Sequence, residues 1–171
     1  MRENSRDRAA GRVEAIAWTE EAPRKNGPYV PIIAAKPGAA VSAIVLSERM
    51  TAVYVHWSEG RSTPCRRPNG VCELCELSYA TRWKGYLGVF WAESGRIGLI
   101  ELTTNAVDKC LDLRRKTSLR GGKIKVRRPG SRPNASVFAE FYEYHPSFGF
   151  ALKDLPPEFD VKGALMKVWF G

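Results

Sequence analysis

The chain has 171 residues, 44% of them hydrophobic and 26% charged, which is typical of one soluble globular domain. No apolar run approaches membrane-spanning length, and the charged start MRENSRDRAAGR lacks the apolar segment of a secretory signal. The formal net charge of +9 favours a polyanionic partner, most often nucleic acid. We therefore expect a cytoplasmic protein without a membrane partner.

The first part of the chain predicts an arm followed by two strands. Residues 1–25 are polar, charged and aperiodic, so we expect a flexible arm ahead of a single domain over 26–171. The apolar runs at 41–47 and 51–57 predict strands, and the short gap between them favours a hairpin. The second strand leads directly into a loop rich in Cys, Gly and Pro.

The second part predicts two further strand pairs around a helix. Residues 86–91 and 97–102 flank a Glu-Ser-Gly turn, and 104–116 carries an apolar stripe at helical spacing. Residues 123–128 alternate cations with Ile and Val, and 136–144 return as their partner strand. The last dozen residues fit either a short helix or an edge strand. This order predicts a mostly β fold, an OB-fold-like small barrel with an inserted zinc-binding loop and one helix; a β-sandwich is the alternative.

The inserted loop contains the most specific motif of the sequence, H-x8-C-x6-C-x2-C. Its four residues are His56, Cys65, Cys72 and Cys75, in a chain with only two His and four Cys. Zn²⁺ prefers a tetrahedral shell of imidazole nitrogen and thiolate sulfur, and a structural site fills that shell with protein ligands alone. The motif therefore predicts one structural Zn²⁺.

Other readings of the cysteines remain possible. Without a secretory signal the thiols are expected to meet a reducing compartment, where clustered Cys and His usually bind metal and disulfides are rare. A C-x2-C pair alone could be a redox motif. Cys110, the remaining cysteine, falls in the predicted helix and is interpreted as a small buried apolar residue. His145 is the other possible ligand.

The positive charge is concentrated in one segment. From Arg114 to Arg132 there are nine basic residues and no acidic one, a charge equal to that of the whole chain. Such clustering favours an anion-binding surface, because a solvated face normally mixes both signs. Within it, Lys123, Lys125 and Arg127 share one face of a predicted strand and are suited to phosphate.

A basic and aromatic segment, Arg82-Trp83-Lys84-Gly85-Tyr86, follows the zinc loop. Proteins that hold single strands combine cations for the phosphates with rings on which bases stack. In the strand that follows, Leu87 and Val89 assign one face to the core, so Tyr86 is predicted to lie on the exposed face. Trp83 could serve either as a stacking platform or as a core residue.

The residues predicted to contact nucleic acid form one set of cations and rings. They are Arg61, Arg66, Arg67, Arg82, Trp83, Lys84, Tyr86, Arg114, Arg115, Lys116, Lys123, Lys125, Arg127 and Arg128. Catalysis is not predicted, because the chain lacks G-x-S-x-G, P-loop and G-x-G-x-x-G motifs and fails the H-x-E and P-C-x-x-C pattern of zinc deaminases. Four protein ligands also leave zinc no open position.

With these motifs in order, the chain resembles the single-stranded-DNA-binding proteins of T-even-type phages, the gene 32 product family. That family inserts a zinc held by one His and three Cys into an OB-fold, followed by a basic-aromatic segment, a strand pair, a helix and another strand pair. The resemblance covers roughly residues 40–145 by motif order, with shorter ligand spacings. The family's acidic C-terminal tail has no counterpart in the final KVWFG, and its basic cooperativity motif is matched only in composition, at 114–118.

The resemblance implies a protein that binds single-stranded DNA with little sequence preference in replication, recombination or repair. It also implies replication proteins as further partners, and a nucleoid-associated place in a bacterial or phage-infected cell. Two alternatives remain: an RNA-binding zinc module, and an adaptor whose basic face meets an acidic protein.

Overall fold

A computed structural model of the protein describes residues 30–67, 70–109, 118–132 and 135–170, so the predicted arm lies outside it. The structure is mostly β, which confirms the predicted fold class. One mixed sheet joins eight strands: β1 Ile32–Ile33, β2 Ala40–Val45, β3 Thr51–Ser58, β4 Arg61–Pro64, β5 Thr81–Trp91, β6 Arg96–Thr103, β7 Lys123–Arg127 and β8 Phe138–Tyr142. The α-helices are α1 Glu73–Glu76, α2 Thr104–Lys109 and α3 Val161–Phe170, and short 3-10 turns span Pro146–Phe148 and Leu152–Asp154.

The strands β2 and β3 do not form the predicted hairpin, and that expectation was wrong. They follow one another along the same edge of β5: Val45 pairs with Val89, and Thr51 pairs with Tyr86, both in antiparallel register. Residues 46–50 stand opposite only Leu87 and Gly88 of β5, so they form a bulge within one long strand, and the Leu46 amide still donates to the Gly88 carbonyl at 2.8 Å. Their sequence, LSERM, has no Asn-Gly or Gly pair of the kind that a tight hairpin turn prefers.

Arg120 holds this bulge in place. Its guanidinium donates to the carbonyl of Leu46 at 2.8 Å and to the carbonyl of Pro156 at 2.5 Å. Next to it, the amide of Leu119 donates to the carbonyl of Glu48 at 2.9 Å. Arg120, one of the nine basic residues between Arg114 and Arg132, therefore stabilises the fold.

Replacing Arg120 with Met should lower the free energy of unfolding by about 1–3 kcal/mol, because two carbonyls lose a charged donor. Urea denaturation of the purified protein measures this. The exposed Arg132 supplies the matched control, since its replacement by Met should change the stability by less than about 0.5 kcal/mol. Equal stabilities of the two variants would contradict the structural role of Arg120.

The strand order is that of an OB-fold barrel. With β2 and β3 counted as one bent strand, the sheet runs β6–β5–β2–β7–β8, which is third, second, first, fourth, fifth along the chain. Helix α2 follows the third strand and contacts β5, β6 and β8, so it bridges the two ends of this open order. The metal-ligand loop is then the connection between the first and second strands.

The interior of the barrel is apolar, as the alternation of the strands predicted. It includes Leu87 and Val89 of β5 and Ile124 and Val126 of β7, all with 0% exposure. Lys123, Lys125 and Arg127 lie exposed on the opposite face of β7, which confirms the predicted arrangement of that strand.

The outer face of β3, β5 and β6 is covered by the C-terminal segment. Leu165 of α3 is 1% exposed, and the ring of Trp169 meets Tyr86 edge-on at 5.8 Å between centroids. Nearby, Phe159 lies so close to Gly88 that a Cβ there would approach its ring carbon to 2.6 Å. The prediction that Tyr86 is exposed was therefore wrong: its exposure is 0%, because a distant segment packs on that face.

Candidate metal centre and nucleic-acid interface

The four predicted ligands meet at one point. The ligand atoms of His56, Cys65, Cys72 and Cys75 all lie within 4.8 Å of one another, and this cluster could hold a metal ion. The Nε2 atom of His56 lies 3.5 Å from the Cys72 sulfur and 3.4 Å from the Cys75 sulfur, and the Cys65 and Cys75 sulfurs are 3.6 Å apart. The three thiols are free.

Two short elements bring these ligands together. β3 and β4 are joined at Glu59 and Gly60, whose φ angles of 51° and 76° are both positive, as a two-residue hairpin turn with strand-like twist requires. His56 stands on β3, and Cys65 directly follows β4, where its amide donates to the carbonyl of Tyr54 at 2.7 Å. Cys72 is the N-cap residue of α1, and Cys75 lies within that helix. We call residues 56–80 the metal module.

The histidine ring is oriented by a partner outside the ligand set. His56 is fully buried, and its Nδ1 lies 3.0 Å from the carbonyl of Tyr79. A donor hydrogen on Nδ1 leaves the lone pair of Nε2 facing the thiols, which is the usual outer-shell arrangement of a metal-binding histidine.

Cys65 and Cys72 have different proton affinities. Burial is the largest influence on the pKa of both groups, and with smaller contributions from the neighbouring thiols it raises the pKa of Cys65 to about 11 despite the opposing hydrogen bond from the Arg67 amide. At Cys72 the amides of Arg66 and Cys75, together with the Cys75 and His56 side chains, outweigh burial and lower the pKa to about 6. Cys72 therefore carries the thiolate, the form that binds metals, more readily than Cys65.

A groove lies between the start of β5, the junction of β6 with α2 and the residues at the two ends of the β7–β8 connection. This cavity of about 620 Å³, which we call the central groove, is lined by Arg82, Trp83, Lys84, Asn105, Arg128 and Ser136, among others. In OB-folds the loops after the first and fourth strands flank the ligand face. Here the second of these loops contributes Arg128 and Ser136 to the central groove, whereas the first reaches it only through Thr81, which lines the groove and pairs with His56.

The remaining predicted contacts are distributed over the surface. Arg61, Arg66 and Arg67 are exposed on the metal module, and Arg82 is exposed beside it. Arg114, Arg115, Lys116 and Cys110 lie outside the described residues. His145, the alternative ligand, is exposed and accepts a hydrogen bond from the Ser147 amide, away from the cluster.

Lys84 forms an ion pair within the fold. Its Nζ lies 2.6 Å from Glu101, and the Tyr86 hydroxyl donates to the same carboxylate at 3.1 Å. Burial, followed by the charge of Glu101, raises the pKa of Tyr86 well above its usual range. Of the five residues 82–86, Arg82 is exposed, and Trp83 packs partly against the core while its remaining surface lines the central groove.

The exposed face of β7 combines charge with rings. Arg127 lies 3.4 Å from Glu140, and its guanidinium stands 5.6 Å from the centroid of Phe138. The Nζ atom of Lys123 stands 4.2 Å from the centroid of Phe148. Glu140, which pairs with Lys125 across the ladder, thus lies among the cations of this face.

Sequence reasoning missed the exposed rings of the metal-bearing end. Tyr54 is 41% exposed and pairs with Trp83 across the β3–β5 ladder, and Tyr79 is 46% exposed. The alternation along β3 could have predicted the exposure of Tyr54, because the apolar Val53 and Val55 are buried on one face and Tyr54 lies on the opposite face.

Comparison with known proteins gives no family assignment: no family model, curated protein or solved structure matches the chain. Within the described ranges, no helix is both long enough and apolar enough to span a membrane.

Proposed function

We propose that this protein binds single-stranded DNA with little sequence preference, performs no catalysis and is stabilised by one structural zinc. The central groove is the observation that carries the proposal. Arg82 and Arg128, which come from separate elements, line it together with the ring of Trp83. Cations around an aromatic ring suit a strand that offers phosphates and bases at once.

The ligand geometry supports zinc as the metal. A tetrahedral ion with Zn–S bonds of about 2.3 Å and Zn–N bonds of about 2.0–2.1 Å separates its ligand atoms by about 3.6–3.8 Å. Three of the six separations in the cluster are 3.4, 3.5 and 3.6 Å, and all six are within 4.8 Å. One imidazole and three thiolates fill four positions, which leaves the metal no site for substrate. Its role is to fix the metal module beside the groove.

The distribution of the remaining cations supports a strand that continues past the groove. Exposed arginines of the metal module lie on one side, and the cationic face of β7 precedes Arg128 on the other. Their phosphate contacts would be independent of sequence, because the backbone of every strand is the same. Such a protein would act on exposed strands in replication, recombination or repair.

A salt titration tests the binding mode. The affinity for a fluorescent oligo-dT should fall steeply between 50 and 200 mM salt, with a slope of log K against log salt of roughly −0.7 per phosphate neutralised. Fluorescence anisotropy measures this, with duplex DNA and oligo-U run alongside. A flat salt dependence would rule out phosphate contacts, and tighter binding of oligo-U would favour the RNA alternative.

Replacing Trp83 with Ala should weaken oligo-dT binding roughly 5- to 150-fold, the equivalent of about 1–3 kcal/mol for one stacked base. Trp57 provides a matched control: its ring is 58% exposed but lies on the face of β3 opposite to Tyr54. Trp57→Ala should keep the affinity within about twofold. If both variants bind like the parent, the central groove is not the stacking site.

A further inference from the structure

A second cavity lies on a different surface, between the outer face of β2 and β7 and the segment 148–155. It encloses about 590 Å³, within the range of roughly 300–1,000 Å³ that small-ligand sites occupy. We call it the aromatic pocket. It is lined by Ile44, Trp91, Lys123, Lys125, Tyr142 and Phe148, among others, and shares no described lining residue with the central groove.

The wall of this pocket is held rigidly. The rings of Phe148 and Phe150 are 6.2 Å apart, and Tyr144 packs on both at 6.5 and 5.7 Å. The Tyr144 hydroxyl donates to the Phe150 carbonyl at 3.1 Å, which closes this loop on itself. Gly149, with a φ of 82°, permits the sharp change of direction between the two phenylalanines. A preformed ring surface binds a flat ligand without the cost of ordering side chains.

The charges around the pocket specify the kind of ligand. Lys123 already stands over the Phe148 ring, and Lys125 is exposed on the same face of β7. Glu93 and Asp154 also line the cavity and are exposed, so their carboxylates can accept hydrogen bonds from ring N–H groups. The ring wall suits a flat ligand, the two lysines suit an anion, and the two carboxylates suit N–H donors. A nucleotide combines a flat base that carries N–H groups with a phosphate.

We propose that the aromatic pocket binds one nucleotide of the strand, with its base against Phe148 and Tyr142 and its phosphate at Lys123 and Lys125. The inference rests on the proposed function for the strand to which that nucleotide belongs. The two sites stand at opposite ends of β5, at Trp83 and Trp91, which is about 26 Å of extended chain. One strand occupying both would give a footprint within the roughly 4–16 nucleotides of a single OB-fold.

Photo-crosslinking of the unaltered protein tests the pocket directly. 5-Iodo-dUMP, irradiated with the full chain, should crosslink to the peptide containing Tyr142 and Phe148, as mapped by mass spectrometry. Unlabelled dTMP in excess should compete. A crosslink confined to the Trp83 peptide, or no saturable crosslink at all, would overturn the proposal.

Two variants separate the pocket from the groove. Phe148→Leu, which keeps an apolar side chain but removes the flat ring, should reduce the 5-iodo-dUMP crosslink to the peptide containing Tyr142 at least tenfold, while Trp83→Ala keeps that crosslink. Circular dichroism and the melting temperature establish that each variant is folded. If dTMP binds but oligo-dT does not, the proposed function fails and the pocket stands. If oligo-dT binds but dTMP does not, and Phe148→Leu changes neither, the pocket proposal alone fails.

Discussion

Replacing Cys75 with Ser is expected to abolish metal binding and to unfold the metal module while the barrel remains folded. Among the described residues from 58 to 80, Cys72 alone is buried, so this segment has almost no apolar core of its own. α1 has four residues and buries none of them, and a helix that short is not stable in isolation. Stability of the module must come from the metal, whose binding to zinc-finger peptides is worth about 10–16 kcal/mol.

The measurement is metal content by mass spectrometry together with limited trypsin digestion. The variant should lose the metal and become cleavable after Arg61 and Arg66, while the strands β5, β6, β7 and β8 stay protected; Arg67 precedes Pro68 and is not a trypsin site. The chain provides a matched control in Cys110→Ser, the same exchange at the one cysteine that is not among the four ligands predicted from the sequence, and this variant should keep the metal. A Cys75→Ser protein that retains one metal per chain and resists trypsin would contradict this account.

Replacing Leu165 with Ala should lower the free energy of unfolding by about 2–5 kcal/mol, because a fully buried side chain leaves a cavity between α3 and the sheet. Lys167→Ala, an exposed position on the same helix, should stay within about 0.5 kcal/mol of the parent. Urea denaturation monitored by tryptophan fluorescence reports the difference.

The Leu165 variant also distinguishes a structural cover from a movable lid. If α3 belongs permanently to the fold, oligo-dT affinity at low temperature, where the variant is still folded, should match that of the parent. Tighter binding by the variant would mean that α3 competes with the strand for the outer face. Unchanged stability would contradict the packing itself.

Local patterns in the sequence predicted the parts of the fold that depend on neighbouring residues. The alternation Lys-Ile-Lys-Val-Arg fixed both faces of β7, and the strands at 86–91 and 97–102 were found as β5 and β6, although β5 begins earlier, at Thr81. The ligand cluster was predicted completely, since Cys and His at close spacing have few other uses in a reducing compartment.

What the sequence did not predict depends on contacts between distant segments. The alternation along β5 predicted that Tyr86 lies on the face opposite to Leu87. It could not predict that Trp169 covers this face, because Trp169 is distant in the sequence. The pairing of both β2 and β3 with β5 also depends on a distant segment, and it was not predicted. The short sequence between β2 and β3 is compatible with either a hairpin turn or a bulge. Local patterns report which side of a strand is apolar; only the assembled sheet decides what packs there.

The contact between Gly88 and Phe159 makes two distant positions interdependent. Any side chain at position 88 would collide with the ring, so a variant that gains one must lose or shrink the residue at 159. In a set of relatives, these positions should therefore vary together, whereas each would vary freely in a barrel whose outer face is open. Among chains that have the four metal ligands, the residues at positions 88 and 159 would then distinguish two groups. In one group the outer face of β3, β5 and β6 is covered, and in the other it is free for a ligand.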